Sequence, residues 1–590
     1  MESNLTPKEQ VSRDLYEIYY KKLEDNEHQC VGIYVELFAG KTPNKTALMF
    51  EDKSWTWDEF NRESNKFANF FISIGLKPGE IIAIIMENSP EYLFITTGIN
   101  KIQCISALVN INQKRQALVH SIKIVEPKFI VIDEPCLPNL EEVLGELSFE
   151  KDKIFVMKNS EKNQDGYIDL KKSMENILDE NPTTTFNSKM TDTGLYIYTS
   201  GTTGLPKAVI MQNNSLPFNG AYYGASITQA NSNDVVYITN PLYHSLSMCT
   251  AWGIASYMGA AVALRRKFSA SNFWKDVNKF GVTFTTYVGE IPRYILNQPE
   301  SENEKDHTLK KMLGLGLKKI IWNKFKERFN IDHIFEYYSS TEGYGPITNL
   351  DEKPGMIGRN TISNHSLAKV NRESGELIKN NEGFCIKCEA GDVGMSLMKI
   401  LDIDNFFKYR NREKTFDKVI KDVYEKGDAY FITGDLLQLH DDLWLSFADR
   451  FGDTYRWKGE NVSTQEIENI LNTHDSILLS AVYGVEIPNH EGKAGMASIK
   501  FNKNSGFDSQ EISLFFNKVL PKYSIPIFIR IREELEITGS NKIRKSNLRK
   551  EAFNINTIDD PIYFWDSLTK GYLKLDNSTY QSILEGKKEF

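Results

Sequence analysis

Six consecutive apolar residues, Ile81-Ile82-Ala83-Ile84-Ile85-Met86, leave no polar face. A strand made from them must be covered on both sides, as strands of a parallel sheet are. Phe129-Ile130-Val131-Ile132-Asp133 and Lys153-Ile154-Phe155-Val156 have the same character, and amphipathic stretches separate the three. Buried runs alternating with helical patterns predict an α/β fold with a largely parallel sheet. A single core seldom serves a chain of 590 residues, so at least two domains are expected. Around Gly434 to Gly459 the sequence turns compact, charged and glycine-punctuated, which puts the boundary near Arg450 to Asp453. Residues 1–450 then form a large N-terminal domain with mixed, largely parallel sheets and helices. Residues 451–590 form a smaller α+β domain that includes a helix over Thr464 to Leu471 and a strand over Ile477 to Gly484.

Composition excludes some classes of function. A net charge of -9 is wrong for a nucleic-acid binder, which neutralises phosphates with a basic surface. Six cysteines without a framework spacing suit a reducing compartment. Cys385-Ile386-Lys387-Cys388 lacks the second ligand pair of a zinc site, so both thiols are expected to be structural. No apolar run is long enough to cross a bilayer, the nearest, Leu76 to Ile111, being interrupted by polar and charged residues. Met1-Glu2-Ser3-Asn4 opens without a secretory signal, and Lys587-Lys588-Glu589-Phe590 is not the peroxisomal tripeptide. A protein at the cytosolic face of a membrane, peripheral to it and not spanning it, is expected. The aromatic, amphipathic stretch Val11 to Phe38 is expected to pack on its own domain.

The chemistry begins at Tyr198-Thr199-Ser200-Gly201-Thr202-Thr203-Gly204-Leu205-Pro206-Lys207. Glycines turn backbone N–H groups inward, hydroxyls add donors, and Lys207 supplies a full positive charge, so the loop is suited to a polyphosphate. The Walker spacing G-x-x-x-x-G-K-[ST] is absent, which removes the P-loop reading.

Three further segments follow in order: Tyr337-Tyr338-Ser339-Ser340-Thr341-Glu342-Gly343, Tyr430-Phe431-Ile432-Thr433-Gly434-Asp435 with Asp449-Arg450, and Thr538-Gly539-Ser540-Asn541-Lys542-Ile543. With the phosphate loop, this set resembles the adenylate-forming superfamily. The resemblance implies an ATP site built from Thr199, Ser200, Gly201, Thr202, Thr203, Gly204, Lys207, Gly316, Tyr338, Ser339, Thr341, Asp435, Arg450 and Lys542. Within it Tyr338 would stack on adenine, Asp435 would accept the ribose hydroxyls, and Glu342 would hold Mg2+, an ion that prefers hard oxygen ligands. Ser339 stands where the superfamily usually has glycine. Lys542 is the expected catalytic lysine, with Lys207 and Glu342 as partners, and Lys545 is its rival in sequence. A mobile ammonium between a carboxylate and an α-phosphate lowers the barrier between two anions.

The stretch from Asp449 through Trp457-Lys458-Gly459-Glu460-Asn461 to Thr464 is similar to the fatty acid transport protein and very-long-chain acyl-CoA synthetase family. Asn240-Pro241-Leu242-Tyr243-His244-Ser245, Tyr287-Val288-Gly289-Glu290, Gly314-Leu315-Gly316-Leu317 and Asp560-Pro561-Ile562-Tyr563-Phe564 agree with the same pattern. That likeness implies an acyl site at Tyr243, His244, Tyr287, Gly289 and Glu290, and a coenzyme A passage at Trp457, Lys458, Gly459, Glu460 and Asn461. Asp453 would be the hinge on which the small domain pivots between two half-reactions. The implied activity is ATP-dependent ligation of a long- or very-long-chain fatty acid to coenzyme A through an acyl-adenylate, coupled to uptake by vectorial activation. A ligase for another hydrophobic acid, of bile-acid or carnitine-like type, and a transport protein with little turnover stand as alternatives.

Overall fold

The computed structural model describes residues 5–158, 166–199, 205–288, 290–296, 298–317, 319–342, 346–371, 376–403, 406, 408–450, 454–502, 505–535 and 545–590. Two large sheets carry the N-terminal domain. In the first, the order is Ile168–Asp169, Ile154–Met157, Phe129–Asp133, Ile81–Ile85, Ile105–Leu108, Thr193–Thr199, Lys207–Gln212, parallel throughout except for the last pair. Every residue of Ile81–Ile85, Ile105–Leu108, Phe129–Asp133 and Ile154–Met157 is buried, as runs without a polar face require.

The second sheet has the order Ile347–Asn349, His333–Tyr338, Lys311–Leu315, Phe284–Val288, Val235–Ile238, Ala261–Leu264, Thr46–Phe50, Lys53–Thr56. Its inner strands are parallel and each edge is closed by an antiparallel strand. A third, antiparallel sheet joins Gly358–Arg359, Trp444–Arg450, Ala429–Leu439, Val393–Lys399 and His365–Lys369, with Val419–Lys421 beside Ala429–Leu439.

Beyond residue 453 the architecture changes. Thr454–Trp457 and Glu460–Ser463 form a hairpin whose turn residues Lys458 and Gly459 both have positive φ, +50° and +84°. That is the backbone of a tight primed turn, and it explains the glycine. Next come the helix Thr464–Leu471 and a five-stranded sheet, Ile477–Val485, Ala494–Phe501, Phe528–Ile531, Ile562–Asp566, Gly571–Lys574. This smaller domain has its own core around Tyr483, Phe516, Phe528 and Ile583.

The helix Pro7–Glu24 starts at a capping box between Thr6 and Glu9. It is fastened to the N-terminal domain by a buried ion pair of Glu9 with Arg359 and packs its tyrosines against the segment Gly220–Ile227. Among the described residues no helix is long and apolar enough to cross a membrane. Cys385 and Cys388 carry free thiols, and burial pushes the Cys388 thiol up to about 11.

Candidate active site at the carboxyl ends of two sheets

A cavity of about 1620 Å³ opens where the parallel strands of both large sheets end. Ligands of open α/β sheets collect at these ends because the loops there diverge and leave a crevice. Thr199, at the end of Thr193–Thr199, lines the cavity, as do Val288, Leu315 and Tyr338 at the ends of their strands. Tyr243 and His244 reach it from the loop after Val235–Ile238.

Lys207 is the first residue of the returning strand, paired directly with Thr199. The expected phosphate loop is therefore the connection of a hairpin, and Ser200, Gly201, Thr202, Thr203 and Gly204 in that connection lie outside the described residues. Segment 408–410 runs beside this edge strand, with Ile210 N donating to Lys408 O at 2.9 Å and Arg410 N to Ala208 O at 2.9 Å. The backbone pairing brings three side chains together. The Lys207 ammonium sits 5.1 Å from the centre of the Tyr409 ring, and the Tyr409 hydroxyl donates to Glu342 Oε1. Lys408 lines the same cavity. Burial holds its ammonium below the usual lysine range, with the Glu342 charge acting the other way. Two lysines and one carboxylate thus face a common space, an arrangement that receives a polyanion and leaves a hard oxygen ligand for a cation.

The nucleotide-side expectations also converge. The Tyr338 hydroxyl donates to Asp435 Oδ2 at 2.7 Å, and Asp435 N donates to Thr433 Oγ1 at 3.1 Å. Ser339, Thr341 and Gly316 line the cavity with them. Arg450 is the register partner of Asp435 on the adjacent strand. The Gly316 backbone is left-handed, φ +84°, and a buried carboxylate holds the turn. Glu336 accepts from Gly316 N at 3.0 Å, Leu317 N at 2.9 Å and the Tyr287 hydroxyl at 2.6 Å. Burial lifts Glu336 to about 7, although these three donors and the nearby Arg456 pull the other way.

Two expected side chains stand behind the cavity wall. Tyr287 is fully buried, its ring in the core and its hydroxyl on Glu336, so it supports the Gly316 turn and does not line the cavity. Trp457 is 2% exposed and stacks on His490 inside the small domain, 5.6 Å between ring centres. Its neighbours in the hairpin turn are the residues that reach the cavity: Lys458, Gly459 and Glu460 all line it. A Cβ on Gly459 would lie 3.2 Å from Val288 of the large domain. His244 Nε2 and Glu460 Oε1 are 3.3 Å apart, a contact between the domains. Burial pushes the Glu460 carboxyl up, but the charge and hydrogen bond of His244 together with Arg456 outweigh it and leave it below the usual range.

Glu290 opens the helix Glu290–Leu296, and Asn461 pairs with Arg456 in the hairpin. Gly289, Asp453 and Lys542 lie outside the described residues. Lys545, the rival of Lys542, is committed elsewhere: its ammonium is 2.8 Å from Glu468 Oε1 and 3.0 Å from Thr464 Oγ1. Tyr409, Lys408, Glu336 and Arg456 are site residues that the sequence reading missed. Their roles come from strand register, and no local motif announces them.

The AMP-binding enzyme family model matches residues 35–385, and the model of the AMP-binding enzyme C-terminal domain matches residues 466–542. Long-chain fatty acid transport protein 2 of Rattus norvegicus is 37% identical, over 93% of this chain and 89% of its own. The chain belongs to the AMP-binding enzymes, in the long-chain fatty acid transport protein family. Long-chain fatty acid transport protein 1 of Homo sapiens is 34% identical over 96% of this chain and 90% of its own. Among solved structures, o-succinylbenzoate CoA synthetase from Bacillus subtilis with a CoA product analogue superposes with a TM-score of 0.71 at 20% identity, covering 88% of this chain and 98% of that one. A Mycobacterium tuberculosis fatty acyl CoA synthetase gives 0.59 at 19% identity, over 89% and 98%. These two share the fold of this enzyme: a large N-terminal domain of mixed sheets and helices, and a smaller C-terminal one.

Proposed function

We propose that this enzyme ligates long- or very-long-chain fatty acids to coenzyme A in two steps, with ATP consumed to AMP and pyrophosphate. The observation that carries the reading is one cavity, reached by Lys207, Glu342, Tyr338 and Asp435 of the large domain and by Gly459 and Glu460 of the small one. In the first step the fatty carboxylate attacks the α-phosphate and pyrophosphate leaves. Lys207 and Lys408 offset the charge of the phosphates, Tyr338 packs on adenine, and Asp435 accepts the ribose hydroxyls, where Arg450 also acts. Lys542 belongs to this step. Glu342 is the residue that would hold Mg2+, and the ion would supply positive charge against the phosphates there. The donor set fits, because Mg2+ takes one or two carboxylates with substrate oxygens and water, and Glu342 lines the cavity with Lys207 and Lys408.

In the second step the CoA thiol attacks the acyl carbonyl, the bond to AMP breaks, and the thioester forms. The arrangement described above suits this step, because the Lys458–Gly459 turn reaches the cavity beside Val288 and Glu460 meets His244. Gly459 leaves room for the pantetheine arm. Residues 1–450 and 451–590 are the two bodies whose rotation about Asp453 exchanges the steps. Trapping the acid as its thioester at a peripheral site on the cytosolic membrane face, at the endoplasmic reticulum, endosome, lipid droplet, peroxisome or plasma membrane, would draw fatty acid inward without a channel.

Purified protein supplied with ATP, Mg2+, CoA and palmitate or lignocerate should release acyl-CoA and AMP. No thioester with any chain length would defeat the proposal.

A further inference from the structure

Leu246, Cys249, Tyr223 and Tyr337, which line the cavity, belong to one hydrophobic cluster, and the lining residues Val288 and Leu315 pack against it. Tyr223 belongs to the π-helical segment Gly220–Ile227, and Leu246 and Cys249 to the π-helical segment Leu246–Trp252, a rare geometry that concentrates at functional sites. Tyr223 and Tyr337 close this region against each other, ring centres 4.7 Å apart. Both rings are buried, Tyr223 at 3% and Tyr337 at 6% exposure.

Behind Tyr223 the aromatic contacts continue outward. Its ring meets Tyr222 edge-on at 5.0 Å, Tyr222 meets Tyr16 edge-on at 5.5 Å, and Tyr16 stacks on Tyr20 at 5.2 Å. Tyr16 and Tyr20 belong to the helix Pro7–Glu24. That helix precedes residue 35, where the match to the AMP-binding family model begins. A continuous aromatic column therefore runs from the apolar wall of the cavity to the N-terminal helix on the surface.

We propose that this column is the acyl-chain stop: Tyr223 and Tyr337 end the acyl compartment, and the helix Pro7–Glu24 is the buttress that keeps them closed. The inference rests on the fatty acid ligase reading and names what limits its substrate. A chain that outgrows the compartment must displace Tyr223 toward Tyr222 and Tyr16, and aromatic rings packed at these distances resist displacement. Removing ring volume at Tyr223 admits longer tails. Loosening the buttress at Tyr16 has the same direction and a smaller size.

The test is an acyl-length profile of the full chain and two variants, Tyr223→Leu and Tyr16→Ala, read both as kcat/KM for CoA ligation and as calorimetric affinity for octanoate, palmitate and lignocerate. The lignocerate-to-octanoate ratio should rise about tenfold in Tyr223→Leu, the range that a small change in pocket volume commands, and about threefold in Tyr16→Ala. Tyr16 lies on a half-buried helix face, so its variant carries the test if Tyr223→Leu does not fold. Ratios unchanged in a folded variant, by both readouts, would overturn the stop. Wild-type protein that binds the acids but forms no thioester would instead overturn the ligase reading, while the affinity profile would still judge the column.

Discussion

Replacing Glu336 by glutamine separates the electrostatic cost of a buried carboxylate from its service to the site. Three donors converge on it, Gly316 N, Leu317 N and the Tyr287 hydroxyl, at 2.6 to 3.0 Å. Glutamine keeps one oxygen and turns an NH2 group toward a donor, so one buried hydrogen bond fails, at a cost of about 1–3 kcal/mol. The opposite effect is of similar size. Burial raises Glu336 from 4.5 to about 7, so the folded protein holds this proton more tightly than the unfolded chain. Stability from the group is complete below about 4.5 and is lost as pH rises through about 7. At about 1.4 kcal/mol per pH unit the excursion is ~3 kcal/mol. Glutamine has no such dependence. Chemical denaturation of both proteins should therefore show wild-type stability falling relative to Glu336→Gln between acid and neutral pH, with near-equal stability above neutrality. ATP binding should still weaken in the variant at about pH 8, by ~10-fold, because the Gly316 turn has lost part of its anchor. Parallel stability profiles with unchanged ATP affinity would refute both the ionisation and the anchoring.

Four other perturbations address the rest of the site. Asp435→Ala removes the acceptor that Tyr338 now engages and should weaken ATP by ~10- to 100-fold in calorimetry; unaltered affinity would place the nucleotide elsewhere. Gly459→Val combines a φ of +84° with crowding at Val288, so CoA ligation should fall at least ~10-fold while ATP–pyrophosphate exchange persists; equal loss of both would show that the turn serves folding alone. Lys545→Ala breaks the bonds to Glu468 and Thr464 and should lower the unfolding free energy by ~1–3 kcal/mol with adenylation retained. Lys542→Ala should cut adenylation at least ~100-fold, and the reverse ranking would exchange the roles of the two lysines.

Much of the fold was legible because burial on both faces leaves a mark in sequence. Ile81 to Met86 and Phe129 to Asp133 read as interior strands and are interior strands, and the predicted helix over Thr464 to Leu471 has those bounds. Long-range register was not legible. Tyr409 meets Glu342 only because segment 408–410 lies along Lys207–Gln212, and nothing within either stretch specifies the other. Glu336 was hidden for a related reason: a carboxylate in an apolar strand reads as an edge or an error until the N–H groups of Gly316 and Leu317 are seen to need it. Tyr287 and Trp457 were misplaced because adjacency in a motif is not adjacency in space. Successive side chains of a strand take opposite faces, so Val288 lines the cavity while Tyr287 packs into the core.

The contact between the domains has a bearing on how one cavity could serve two reactions. His244 and Glu460 are 34% and 21% exposed, and ion pairs open to water contribute only about 0–1 kcal/mol. The neighbouring contact, Gly459 against Val288, involves a residue without a side chain. A docking held at this point by weak forces is a docking that thermal motion can undo, whereas the residues around Phe516 and Phe528 are packed into one buried core. If His244→Ala slowed CoA ligation far more than its loss of ~1 kcal/mol in docking would allow, the histidine would have to act on the substrate itself and not through the position of the small domain.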